Sequence, residues 1–425
     1  EMVLPFFDWH MMFNDVFNRP SKEGFDIVIG NPPYIQLQNN GGELAQMYKD
    51  CRFSTFVRTG DIYCLFYECG WKLLHNNGHL CYITSNKWMR AGYGEKIRDF
   101  FAHNTNPMLL VDFAGVKIFD SATVDTNILL FEKSTNKHNT ICSVTKDQGK
   151  DSINNLSDFV RQQHTICDFS SSDSWVVLSP IEQSIKRKIE AVGTPLKDWD
   201  IHIYRGVLTG CNEAFIINTS KRNEILSNCK DADERQRTEE LIRPILRGRD
   251  IKRYGYEWAG LWLINTHNGI KGKIERIHIE DYPAIKAHLN QYWDKIEHRA
   301  DQGDTPYNLR NCVYLEDFNK PKLFYADITQ HLNFCLCRDV MYCNNTTYFI
   351  TTDNERELRH LQKYLNSPLI DWYYKTLSVQ LGEKAVRMFS IYVLEIPIPP
   401  IGEDNIYEAY HLNATEIAFI EGKEA

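Results

Sequence analysis

Gly24-Phe25-Asp26-Ile27-Val28-Ile29-Gly30-Asn31-Pro32-Pro33-Tyr34 is the stretch on which the fold turns. A β-branched apolar run that closes on a glycine reads as a short strand ending in a turn. Asn31-Pro32-Pro33-Tyr34 follows at once, so it occupies the loop at the strand's carboxyl end. Open α/β sheets place their ligands there. Two consecutive prolines fix φ and remove two backbone donors, leaving a loop that offers only carbonyl acceptors. Asn31 adds a side-chain acceptor and Tyr34 a flat ring. Two such acceptors draw the N–H bonds of a planar exocyclic amine out of the ring plane. The nitrogen lone pair is then localised and aimed, while stacking holds the base still. No general base is needed before attack, since the proton can leave afterwards. This is catalysis by positioning and polar stabilisation. A merely rigid turn is the competing reading of the tetrapeptide; the strand in front of it favours the site.

Outward from this point, residues 60–76 have helical spacing, with Asn77-Gly78 as a stop signal. Residues 79–84 read as a strand, 92–104 as a helix, and 108–113 and 126–133 as strands. Alternation with short connections predicts an α/β layer with a largely parallel sheet. The pattern stops near residue 134, and 134–174 turn polar, as an excursion or linker would. From 176 the spacing is irregular. Short strands are expected at "AFIIN" (214–218) and "TTYFIT" (346–351), with helices at 179–192 and 355–366. The expected division is 1–175 as an α/β piece and 176–425 as an α+β piece.

The 425 residues are long enough for two or three domains. At 43% hydrophobic and 24% charged the composition is that of an ordinary globular protein. No apolar run approaches the ~20 residues of a membrane span. The formal charge of -8 argues against a uniformly basic coat but leaves room for a local basic groove. None of the twelve cysteines forms a CxxC pair, and no secretory leader is seen. Free thiols in a reducing cytoplasm are expected, Cys335, Cys337 and Cys343 included, and no metal site.

"PFFDWHMMF", "FDIVIGNPPYIQLQ", "TGDIYCLFYECGWKLL" and "ITSNKWMRAGYGEKIRDFF" together resemble the adenine-N6 DNA methyltransferases of type IIG-like restriction–modification enzymes, those with a TaqI-like C-terminal specificity domain. The resemblance implies a Rossmann-like methyltransferase sheet followed by a DNA target-recognition domain, with S-adenosylmethionine as cofactor. It also implies that Asn31 and Pro32 accept hydrogen bonds from the target amine and that Tyr34 stacks on a flipped adenine. Pro33 would line the methyl-donor pocket and Asp8 would contact the donor's adenine. "GVKIFDSATVDTNILLFEK" is similar to the segment whose aromatic sandwiches that base, which points to Phe119, against a plain core role for it. The family carries a glycine-rich donor-binding loop ahead of its NPPY segment, and nothing like it precedes residue 31. The expectation is a partial catalytic domain, inactive alone, with room for a nuclease domain in the full-length protein.

Later segments, "IHIYRGVLTGCNEAFIIN" and "LIRPILRGRDIKRYGYEW", resemble the specificity domain. Between 243 and 253, Arg243, Arg247, Arg249, Lys252 and Arg253 stand against Asp250 alone, and Tyr254, Tyr256 and Trp258 follow. That mixture suits phosphate contacts and some base-edge readout on double-stranded DNA. The competing reading is a solvated helix face paired with the acidic run 231–240. Arg205, Arg247, Arg249, Lys252, Arg253, Arg310 and Arg387 are the expected DNA contacts. Two rival functions stay open: a DNA-binding specificity module without catalysis, and methylation of an RNA base or a protein amide.

Overall fold

In a computed structural model the described residues are 7–113, 116, 118–119, 125–145, 155–378, 380–381, 385–402 and 404–422. The chain divides into two compact units, Glu1–Ser184 and Ile185–Ala425, with the division inside the helix Pro180–Val192.

The first unit is built on a six-stranded sheet: β1 (Phe25–Gly30), β2 (Leu74–Ser85), β3 (Asn106–Asp112), β4 (Thr126–Glu132), β5 (Thr140–Val144) and β6 (Thr165–Cys167). Their order is β1-β2-β4-β3-β5-β6. Helices Ile62–Leu73 and Glu95–Asn104 alternate with the strands as expected. The expected parallel character is corrected, because the sheet is mixed. β1 and β3 run parallel to β2 and β5, whereas β4 is antiparallel to both β2 and β3, and β6 to β5. A parallel crossover needs a helix or similar long connection. β3 and β4 pair antiparallel, so their pairing needs no such crossover.

Two further expectations are corrected. The helix that starts at Ile62 ends at Leu73 rather than at 76, because Leu74 is already extended and opens β2. Asn77, at φ +66, and Gly78 instead shape the start of that strand. A Cβ at Gly78 would stand 2.9 Å from the Phe25 carbonyl, so the close approach of β1 requires glycine. Nor is the polar tract 134–174 only a linker. It supplies β5, β6 and the helix Leu156–Gln162, and Phe169 stacks on the buried Trp175 at 4.2 Å. Two polar residues of its short strands pair within the unit: Thr140 donates to the Pro107 carbonyl at 2.9 Å, and Thr165 accepts from the Gln183 side chain at 3.2 Å.

Aromatic packing closes this core: Tyr63, Tyr67, Trp88, Phe101, Phe131 and Trp175 are buried. Each such side chain is worth roughly 1.5–3 kcal/mol on burial. β1 forms one edge of the sheet and leaves Ile27 and Ile29 exposed.

The second unit is α+β. One four-stranded sheet runs Tyr342–Cys343, Ile242–Leu246, Leu261–Ile264 and Ile216–Asn218; another runs Cys335–Cys337, Lys322–Ala326, Thr347–Thr351 and His202–Arg205. The helices expected at 179–192 and 355–366 are Pro180–Val192 and Glu355–Leu365. "AFIIN" is only half a strand, since Asn212–Phe215 form a helical turn before Ile216–Asn218 extend. Cys335, Cys337 and Cys343 are buried free thiols. No described helix is long and apolar enough to cross a membrane.

Candidate active site and nucleic-acid interface

Asn31-Pro32-Pro33-Tyr34 leaves the carboxyl end of β1, on the sheet edge where β1 meets β2. Pro32 is buried, while Asn31 and Pro33 are exposed and Tyr34 is half-buried. The Tyr34 hydroxyl donates to Asn31 Oδ1 at 3.4 Å, a long bond that leaves this oxygen capacity for a stronger donor. Among the described residues nothing donates to the Pro32 carbonyl. Tyr34 packs edge-on against Tyr63 at 6.1 Å, and the Tyr63 hydroxyl bonds that of Tyr93 at 2.7 Å. Burial, with a contribution from Asp61, holds the Tyr34 hydroxyl above its ordinary range, so it stays neutral.

Asp61 was not singled out from the sequence, yet it sets where the loop goes next. Its carboxylate accepts from the Ile35 amide at 2.9 Å, and the Ile62 amide donates back to the Ile35 carbonyl at 2.9 Å. Leu37 N–H to Gly60 carbonyl, also 2.9 Å, completes the clamp. Asp61 is also the residue before the helix Ile62–Leu73, a place where Asp is favoured. That preference was the only local signal for it; its bond to a backbone 26 residues away left no trace in the spacing. Its side chain is buried, which raises its pKa.

Phe119 is half-buried. Asp8 is spent on capping the helix Trp9–Met12, where it accepts from the Met11 amide at 3.1 Å. A cleft of about 540 Å³ opens at the other end of β1, beside Gly24, away from the Asn-Pro-Pro-Tyr loop. Its cations are already engaged: Arg19 and Lys22 with Asp26, and Lys72 with Glu68.

In the second unit the expected basic residues have different fates. Arg247 turns inward, its guanidinium held by Asp250 through Nε at 3.0 Å and Nη2 at 2.7 Å. Arg253 is tied to the Asn366 carbonyl. Arg310 pairs with Asp301 at 3.1 Å, and exposed Lys252 lies 3.6 Å from Glu257. Arg249 is exposed, with no ion-pair partner among the described residues. Arg205 and Arg387 come from the strands His202–Arg205 and Ala385–Arg387. The acidic run 231–240 does not neutralise 243–253: its Glu239 pairs with Arg222, and no described ion pair links the two stretches. The segment is not a helix face either, but a strand, a 3-10 turn and a short hairpin.

Comparison with known proteins agrees with this two-part layout. Residues 4–119 match the Eco57I restriction-modification methylase family, and residues 243–398 match the TaqI-like C-terminal specificity domain. The type II methyltransferase M.BstVI of Geobacillus stearothermophilus is 22% identical over 400 residues, which cover 88% of this chain and 67% of that protein. The type II restriction enzyme and methyltransferase RM.Eco57I of Escherichia coli is 24% identical over 411 residues, covering 90% of this chain and 41% of that protein. Among solved structures, the type IIL restriction-modification enzyme MmeI in complex with DNA has the same fold, with a TM-score of 0.52 at 11% identity. That alignment covers 93% of this chain and 49% of MmeI. The chain therefore spans about two thirds of one relative and less than half of the other two.

The mixed sheet that carries Asn-Pro-Pro-Tyr beyond its edge strand lies in the methylase-like part, and a separate specificity-like region follows it. The chain thus carries an Eco57I-type restriction-modification methylase region and a TaqI-like C-terminal specificity domain, and the relatives it resembles over most of its length are type II methyltransferases.

Proposed function

We propose that the full-length protein methylates N6 of adenine in double-stranded DNA, with S-adenosylmethionine as donor, as the modification activity of a restriction–modification system. The observation that carries this is the pair of open acceptors, Asn31 Oδ1 and the Pro32 carbonyl, beside the half-buried Tyr34 ring. An exocyclic amine held by both oxygens loses conjugation with its ring and gains nucleophilicity. Tyr34 supplies one stacking face for the base and Phe119 the second. Two aromatic faces offset part of the few kcal/mol spent on flipping a base from the duplex. The donor supplies an electrophilic methyl group. Of this chain's residues, exposed Pro33 is the one beside the amine site that would face it; Asp8 caps a helix through Oδ1 and would reach the donor with its other oxygen.

DNA is the partner in the MmeI structure, and RM.Eco57I is by its name both a restriction enzyme and a methyltransferase. We assign the same partner here, and room for a nuclease domain in the full-length protein. The twelve unpaired cysteines fit a reducing cytoplasm.

Asn31→Ala in the full-length protein is expected to lower methyl transfer to duplex DNA by at least about 100-fold, the scale of losing one preorganised polar contact. Duplex binding should persist. Undiminished transfer would overturn the mechanism. Tritium transfer from labelled donor to duplex DNA, RNA and protein in parallel checks the substrate class, with DNA expected to take the label.

A further inference from the structure

Three segments far apart in sequence converge on the turn Asn344-Asn345-Thr346. Arg205 Nε donates to the Asn345 carbonyl at 3.0 Å. Gly248 N–H donates to Thr346 Oγ1 at 2.9 Å. The Asp327 amide donates to the Thr346 carbonyl at 2.9 Å, and Arg387 pairs with the Asp327 carboxylate at 3.4 Å. Asn344 stiffens the turn from within, accepting from the Thr346 amide at 3.1 Å and from its hydroxyl at 2.6 Å.

Arg205, exposed, bonds the turn directly; Arg249, exposed, follows Gly248, which bonds it; and Arg387, partly exposed, reaches it through Asp327. Asn345, within the turn, is half-buried, and its side-chain amide has no hydrogen-bond partner among the described residues. A carboxamide on a rigid tip offers one donor and one acceptor in a fixed plane. That pair matches the N7 and N6 edge of adenine in the major groove. Guanidinium groups around it suit backbone phosphates, which set register without reading sequence.

We propose that Asn345 reads a base edge, adenine by its chemistry, in duplex DNA, while Arg205, Arg249 and Arg387 hold the phosphates around it. The proposal rests on the DNA-methylating function above and names where specificity resides.

The test uses full-length protein and genomic DNA from a host without methylation of its own, sequenced for modified bases after treatment. The wild type should yield a defined motif with an A·T pair besides the methylated one. With Asn345→Ala that position should become degenerate, with roughly 10- to 100-fold less discrimination on duplex oligonucleotides. Asn345→Asp, nearly isosteric, should shift the preference toward a base pair presenting a cytosine amine. Arg205→Ala and Arg249→Ala should weaken binding to every sequence alike, each lowering the slope of log affinity against log salt by about one.

An unchanged motif and unchanged discrimination in both Asn345 variants, with wild-type melting, would overturn the proposal while leaving DNA methylation intact. If the wild type neither binds nor modifies duplex DNA, the functional reading itself fails and the proposal falls with it.

Discussion

Asp61 shows how one side chain can govern a loop it does not belong to. Its buried carboxylate pins the Ile35 amide, one residue beyond Tyr34, so it fixes the path of the chain as it leaves the Asn-Pro-Pro-Tyr loop. Its contact is with the backbone next to Tyr34, so under the proposed mechanism its expected effect is on the positions of Tyr34 and Asn31. Losing the acceptor would leave a backbone donor unpaired, at a cost of about 1–3 kcal/mol. A displacement of 1 Å at a reacting group can cost about 100-fold in rate. Asp61→Ala is therefore expected to lower kcat by about 10- to 100-fold with little change in KM for DNA. Asp61→Asn, whose amide oxygen can still accept from Ile35, should restore most of that loss. Equal damage from both variants in steady-state kinetics would show that charge, not the hydrogen bond, matters. Burial raises the carboxyl's pKa, so the neutral amide also removes a desolvation cost that is present at high pH.

Among the elements, direction and close approach were the least legible features. Strand periodicity located β3 and β4 but carried no sign of their relative direction, which depends on how the intervening chain turns. Polar composition hid β5 and β6, although Thr140 in β5 donates to the Pro107 carbonyl and Thr165 in β6 accepts from the Gln183 side chain, so these polar residues pair inside the unit. Gly206 and Gly248 flank arginines and looked unremarkable. Each is needed because a backbone crosses against it: a Cβ at Gly206 would stand 2.0 Å from the Asn344 carbonyl, and one at Gly248 would stand 2.6 Å from the Thr346 carbonyl. Neither contact can be relieved by a side-chain rotation. Gly206→Ala is expected to destabilise the second unit by about 1–3 kcal/mol, the usual scale of forced overpacking. It should also weaken DNA binding through the displaced Asn344–Thr346 turn. Gly402→Ala, where nothing lies within 4 Å, is the control and should melt like the wild type. Indistinguishable melting of Gly206→Ala and the control would mean the turn is looser than its hydrogen bonds imply.

For the molecule as a whole, acid sensitivity follows from histidines buried in the neutral state. His288 is buried, its Nε2 bonds the Ala214 carbonyl at 2.9 Å, and its Nδ1 has no partner. Desolvation lowers its pKa below the ordinary 6.5, and the same cause lowers those of His267 and His360. A pKa depressed in the folded state means that the unfolded chain binds the proton more readily. The stability each group contributes is complete above about pH 6.5 and is lost as pH falls through the folded value. No single group can add more than about 1.4 kcal/mol per pH unit. His288→Gln, which keeps a donor for Ala214, should flatten the fall in urea-unfolding stability between pH 6.5 and 5 relative to the wild type. An unchanged slope would show that His288 is not held neutral.

The Asn-Pro-Pro-Tyr loop could be read from adjacent residues because its proposed chemistry is local. A strand end, two prolines without donors, an amide and a ring follow one another within eleven residues, and no distant contact is needed to recognise them. The basic stretch 243–253 was equally visible as composition, but its use was not. Folding turned Arg247 onto Asp250 and Arg253 onto the Asn366 carbonyl, left Arg249 exposed, and brought Arg205 onto the Asn345 carbonyl and Arg387 onto Asp327, whose amide bonds the same turn. Charge along a chain is additive and can be counted. Which charges remain open depends on partners that only the packed chain brings within about 3 Å.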